Sequence, residues 1–197
     1  MRLWSIQPRV LWDTLQAEGS LSGNPAYVWP GFWAAYDWMM LQMRRRIGPP
    51  PQPATLPMWA WARWTAASPR PDLRSRGHLE RGTAGVRMEL EVDPARVLLS
   101  DFELWHYALN YWYLDATDQE EIYVEAALEA RRLNPYRQEP LADEDWHLRI
   151  LASWDRIFDL DGSAMKRGWP PERKSIQAVL WEIRRNDVRR VQFFSAR

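Results

Sequence analysis

The chain has 197 residues, and its 26 lysines and arginines balance 26 aspartates and glutamates. Zero net charge excludes a protein that coats nucleic acid by neutralising phosphate over its whole surface. The absence of cysteine excludes disulfides, thiolate metal sites and cysteine nucleophiles, and suits a reducing compartment.

Residues 2–7, RLWSIQ, alternate and predict a strand. Gln7 and Pro8 are placed to open a helix that Gly19 stops. After a loop over 20–31, FWAAYDWMMLQMRRRI predicts a second helix, with Phe32, Tyr36, Met39, Met40, Met43 and Ile47 on one apolar stripe. Its last turn carries Arg44, Arg45 and Arg46, where cations suit the helix dipole. PMWAWARW, 57–64, predicts a strand with Trp59, Trp61 and Arg63 on one face. A basic loop, SPRPDLRSRGHLERG, leads to GVRMELEV, 85–92. There Val86, Met88, Leu90 and Val92 point inward, and Arg87, Glu89 and Glu91 face water. Val97 to Leu99 is placed to join the sheet.

Ser100 and Glu103 form a capping box for the next helix, and Thr117 and Glu120 form one for the helix after it, which ends before Asn134–Pro135. DEDWHLRILASWDRIF aligns Trp146, Ile150, Trp154 and Phe158 at helical spacing. A loop with Gly162, Gly168, Pro170 and Pro171 leads to a final hairpin of SIQAVLWEI and RRVQFF. The fold class is α+β: a single domain, 1–197, with about five helices on a mostly antiparallel twisted sheet. No basic-apolar-small leader is evident and no apolar run reaches about 18 residues, so the expected location is cytoplasmic, with no membrane partner.

His78, His106 and His147 form no metal-ligand spacing, and the latter two read as core or rim histidines. Walker, Gly-x-Gly-x-x-Gly and Gly-x-Ser-x-Gly patterns are absent. Asp118, Glu120 and Glu121 read as a charge cluster at a helix start. Residues 115–145 hold ten acids against three bases, and 166–197 hold nine bases against three acids. The basic tail offers Arg184, Arg185, Arg189 and Arg190 as contacts for RNA phosphates, with exposed tryptophans among the chain's 14 to stack on bases.

LWSIQP, AYDWMMLQM, RRIGPP, PMWAWARW, RPDLRSRGHL, VLLSDFELWHYALNYWYL and IQAVLWEIRRNDVRRVQFF resemble, nearly end to end, an uncharacterised bacterial family, domain of unknown function 3841. That resemblance implies a small cytoplasmic bacterial protein and names no reaction. A second likeness is to ADP-ribosyltransferases that modify nucleic acid. It implies NAD as the ligand, with Ser5 and Gln7 on the nicotinamide ribose and Trp59 and Trp61 as the aromatic wall. It also implies Gln177 and Glu182 as catalytic residues, with Val179 standing where the family's glutamate belongs.

Arg74 reads either as a phosphate fork or as a loop ion pair with Asp72. Asp101 reads either as a site acid or as part of a helix cap. Three functions therefore stand: an ADP-ribosyltransferase-like nucleotide site, an RNA or single-stranded nucleic-acid-binding module, and a non-catalytic interaction protein. The last would form a homodimer by burying the aromatic helix FELWHYALNYWY. The first requires that Ser5, Gln7, Trp61, Arg74 and Gln177 converge on one hollow.

Overall fold

The alternating opening segment forms β1, Arg2–Pro8, in the computed structural model, which describes residues 1–134, 140–162 and 169–197. Pro8 precedes α1, Arg9–Glu18, without a side-chain cap. Gln7, expected to cap this helix, turns back instead and donates Nε2 to Ser5 Oγ at 3.0 Å. Gly19 ends α1 in the left-handed region, φ +83°, and its N–H reaches the Leu15 carbonyl at 3.0 Å. An added Cβ there would touch nothing within 4 Å, so the strain of a substitution is purely conformational. Gly19→Ala is expected to cost about 1–2 kcal/mol in urea unfolding, the left-handed penalty of an L-residue.

The chain continues through β2, Ser20–Leu21, to α2, Trp33–Arg46. Its buried stripe is Ala35, Trp38, Met39, Gln42 and Met43. Tyr36 and Met40, expected inside, are only half-buried. Trp38 sets the rotation, because its indole stacks on Phe158 at 5.6 Å and meets Trp154 edge-on at 5.5 Å.

The remaining strands are β3, Met58–Arg63; β4, Ala84–Glu91; β5, Leu98–Asp101; β6, Ile176–Leu180; β7, Ile183–Arg184; and β8, Val188–Ser195. Six of the eight strands form one sheet in the order β5-β6-β3-β1-β4-β8, and β2 pairs with β7. The pairings β1–β3, β1–β4, β3–β6 and β4–β8 are antiparallel. With α3, Phe102–Leu109; α4, Asp118–Ala130; and α5, Glu144–Ser153, the described residues hold five α-helices, and the fold is α+β.

The expected terminal hairpin does not exist. Three strands separate β6 from β8. Between them Trp181 is buried, with Nε1 donating to the Gly48 carbonyl at 2.9 Å. Asp187 then closes a 3₁₀ turn by accepting from the Arg184 N–H at 2.8 Å and from Arg96 at 2.8 Å. The RRND turn lacks the glycine or asparagine pair of a tight hairpin, and these anchors send the chain across the sheet.

Strand register assigns the two faces of the sheet. Leu3, Ser5 and Gln7 stand opposite Leu90, Met88 and Val86, and this inner face packs with Leu11, Trp12 and Leu15 of α1. Trp4, Trp61 and Glu89 are cross-strand partners on the outer face, and Trp61 is paired with Gln177 and Trp59 with Val179. The inward set Val86, Met88, Leu90 and Val92 is buried as expected, each at no more than 2 % exposure. Arg87, expected in water, is only 9 % exposed.

The chain divides into two compact units. One comprises Met1–Pro25, Met43–Leu99 and Ile176–Arg197, and the other Ala26–Gln42 and Ser100–Ser175. In the second unit α3 is capped by Asp101, whose Oδ1 accepts from the N–H groups of Glu103 and Leu104. The expected cap was Ser100, one residue earlier. The Thr117 cap of α4 is as expected, accepting from Glu120 N–H at 3.1 Å. The α5 pattern extends as a 3₁₀ turn over Trp154–Phe158. No helix among the described residues is long and apolar enough to cross a membrane. Pro135 and Gly168, read as loop residues, lie outside the described segments.

Candidate functional site

The loop between β3 and β4, residues 64–83, is rich in proline and glycine and carries four arginines. It begins where a register shift between Trp61 and Arg63 ends the β3–β6 ladder. Trp64 N–H then bonds the Pro69 carbonyl at 3.0 Å, and Thr65 and Ser68 pair across a tight turn. Asp72 organises the next turn. Its carboxylate receives the Arg74 N–H and the Arg74 guanidinium, the latter at 2.7 Å, and its carbonyl contacts His78 Nε2 at 2.9 Å. Gly77 and Gly82, both at positive φ, return the chain to β4. Gly82 N–H bonds the Ala196 carbonyl beside β8.

This loop and the outer edge of β4 and β8 enclose a groove of about 850 Å³. Trp64 forms a wall, backed by Trp61 at 4.5 Å in an edge-on contact and by His78 at 4.9 Å. Arg70, Arg74 and Arg87 line it with Gln192. A hollow of about 330 Å³, lined by Arg70, Arg87, Glu89 and Arg190, adjoins it.

Arg87 is the deepest cation. Nη1 donates to the Pro71 carbonyl at 2.6 Å, and Nη2 donates to Gln192 Oε1 at 2.5 Å. Both acceptors are neutral. A guanidinium has five N–H donors and stays charged in proteins, so two neutral bonds leave donors to spare, while the nearby carboxylates Glu89 and Asp72 act on it only through space. Burial lowers its pKa from the ordinary value, and the nearby positive charge of Arg70 adds to that effect. Asp72, the nearest organising acid of the loop, is held far below the ordinary carboxylate range by its hydrogen bonds from Arg74. The groove thus presents cations and an aromatic wall, a combination that holds anions with a flat apolar portion.

The residues singled out in the sequence are dispersed. Ser5 is fully buried on the inner face and donates to the Trp59 carbonyl at 3.1 Å, so Ser5 and Gln7 are bonded within the sheet. Trp59, Trp61 and Gln177 stand on the opposite face, and only Trp61 and Gln177 are direct cross-strand partners. The side-chain period of two makes this separation unavoidable once β1 pairs with β3 in this register. Arg74 does line the groove, with its fork on Asp72. Glu182 lies past the end of β6 and binds Arg184 Nε at 2.6 Å. Asp101 belongs to the other unit, where its Oδ2 lies 3.5 Å from the buried Lys174 Nζ.

Of the tail arginines, Arg190 reaches the groove region, while Arg184 pairs with Glu182 and Arg185 donates to the Gln16 carbonyl at 3.2 Å. His106 and His147 engage the Phe102 carbonyl and the Tyr111 hydroxyl, at 2.9 Å and 2.6 Å. Sequence reasoning missed Arg70, Arg87, Trp64 and Gln192. The available signal was the density of arginine in the 64–83 loop beside a strand that carries another arginine at 87.

Fold and groove together define an α+β domain with a basic, tryptophan-walled trough at its outer sheet edge. Residues 2–189 match a family described as a domain of unknown function (DUF3841), and the chain belongs to that family. No curated protein and no solved structure matches the chain.

Proposed function

We propose that the groove binds a nucleotide, with the base against Trp64 and the phosphates among Arg87, Arg70 and Arg190. The observation that carries this reading is Arg87, nine-tenths buried at the groove floor with only neutral hydrogen-bond acceptors. A buried cation whose hydrogen-bond acceptors are all neutral is costly to desolvate, and an incoming phosphate supplies a directly bonded negative charge beyond the more distant fields of Glu89 and Asp72. Asp72 lines the same groove as an ion pair with Arg74, so the two together add no net charge to the site.

NAD fits this chemistry through its pyrophosphate, and it is the dinucleotide to test. Transfer of its ADP-ribose draws no support from Gln177 and Glu182. The Glu182 carboxylate is engaged by Arg184, and Val179, at the expected glutamate position, is fully buried. The proposal is therefore one of binding.

Titration with ADP, and separately with NAD, is expected to quench tryptophan fluorescence saturably. The double substitution R70Q/R190Q, at two exposed side chains, is expected to weaken ADP binding about tenfold or more by removing two charge-assisted contacts. Trp64→Phe is expected to abolish most of the quenching while binding, measured by calorimetry, persists. No calorimetric binding and no quenching at millimolar ADP and NAD would overturn the proposal.

A further inference from the structure

The groove does not end at one nucleotide-sized hollow. A single pocket of about 300–1,000 Å³ holds a small ligand, and the Trp64 groove alone falls in that range. Yet two further hollows of the same chemistry continue it. The 330 Å³ hollow shares Arg70, Arg87 and Gln192 with it, and a third, of about 730 Å³, shares Arg74. Arg76, Arg81 and Arg197 line that third hollow. The groove that holds Trp64 thus adjoins one arginine-lined hollow through Arg70 and Arg87 and another through Arg74. Across the three hollows, seven arginines stand against two side-chain carboxylates, Asp72 and Glu89. The Asp72–Arg74 ion pair offsets one charge of each sign, which leaves six arginines against Glu89.

We infer that the ligand is a single strand of nucleic acid, running from the Arg190 end, past Trp64, to the Arg76–Arg81 end. This deepens the nucleotide reading and rests on it. A strand repeats phosphate, sugar and base, so it places phosphates on both sides of any base that stacks. A free nucleotide places its phosphates on one side only. All three hollows are open to solvent, as a strand that enters and leaves requires. Charge along such a trough and stacking on aromatic rings are the two components of sequence-tolerant single-strand binding. The chain's zero net charge is compatible with it, because seven of its 26 basic residues line the three hollows while acids dominate elsewhere, as over residues 115–145.

The test compares ADP with the decamers U10 and dT10 and with an inorganic polyphosphate of equal charge, by fluorescence anisotropy or calorimetry. Both decamers are expected to bind at least tenfold more tightly than ADP. Their log affinity should fall with log salt at a slope of about −2 to −3, as three or four phosphate contacts require. R76E/R81E reverses two exposed charges at the far end and leaves Trp64 and Arg87 untouched. It is expected to weaken decamer binding at least tenfold and to leave ADP binding unchanged, with circular dichroism reporting the fold. A tighter U10 than dT10 assigns the strand as RNA, and the reverse assigns it as DNA. Decamers that bind no tighter than ADP, or that are insensitive to R76E/R81E, overturn the inference while the nucleotide reading stands. Polyphosphate that binds as tightly as the decamers also overturns it, since the base would then contribute nothing. Failure of ADP and both decamers to bind removes both.

Discussion

Replacing Trp154 by alanine is expected to destabilise the protein by about 3–5 kcal/mol, the range for deleting a large buried aromatic side chain. Trp154 is fully buried, and its ring meets Trp38 edge-on at 5.5 Å and Tyr111 at 5.8 Å. Its Nε1 donates to the Trp112 carbonyl at 2.7 Å. Alanine removes the packing, leaves a cavity that rigid aromatic neighbours fill poorly, and deprives the carbonyl of its donor. Trp154→Phe separates these effects. It keeps most of the ring volume and loses the hydrogen bond, so its expected cost is about 1–3 kcal/mol. Urea unfolding followed by far-ultraviolet circular dichroism measures both. A loss below about 1 kcal/mol for the alanine variant would mean that the surrounding rings collapse into the space.

Trp154 also shows which parts of the fold were readable. It was placed on one stripe with Trp146, Ile150 and Phe158 because helical spacing is a local property; Trp146, Ile150 and Trp154 are buried, and Phe158 is half-buried. The same holds for the inward set Val86, Met88, Leu90 and Val92, though not for Arg87 between them, and for Thr117 as a cap and Gly19 as a stop. The errors fall where position depends on a distant partner. The closing segments looked like a hairpin because they are adjacent in sequence, yet β6 joins β3 and β8 joins β4. No local feature of SIQAVLWEI encodes that choice. The buried anchors of Trp181 and Asp187, on Gly48 and Arg96, reach across the chain.

The candidate site was misread for the same reason. Ser5 and Gln177 are both uncharged polar residues within apolar strands, and the pattern in each strand is sound. Which face each one presents to the other depends on register, and register places them on opposite sides of the sheet. Arg87 shows the converse. In sequence it occupies the polar half of an alternating strand and reads as solvated. It is buried because the 64–83 loop folds back and supplies the Pro71 carbonyl as an acceptor. Arg74 was legible as a choice between phosphate and Asp72, and in the folded loop its fork rests on Asp72.

Replacing Glu120 by glutamine is expected to cost about 1.5–3 kcal/mol at pH 7, the range for hydrogen bonds to a charged group. Glu120 Oε1 accepts from the Tyr113 hydroxyl at 2.6 Å and from Arg156 Nη2 at 2.8 Å, while Oε2 accepts from the Ala116 N–H at 2.7 Å. Arg156 also donates to the Leu114 carbonyl, so the carboxylate joins the start of α4 to the turn after α5. A glutamine has one acceptor oxygen. Its NH₂ must therefore face either the Ala116 N–H or the Arg156 and Tyr113 donors, and one side of the junction becomes a clash of donors. Burial raises the Glu120 pKa, but the bonds from Arg156, Tyr113 and Ala116 outweigh it and hold the group below its ordinary 4.5. The folded state therefore keeps the carboxylate ionised to lower pH than the unfolded chain does. Its stabilising contribution is complete above about pH 5 and is lost as pH falls through the depressed folded value. The gap between the native protein and Glu120→Gln should accordingly narrow as unfolding is measured from pH 7 down to pH 3. A gap that keeps its full size at pH 3 would show that shape, and not charge, makes this junction stable.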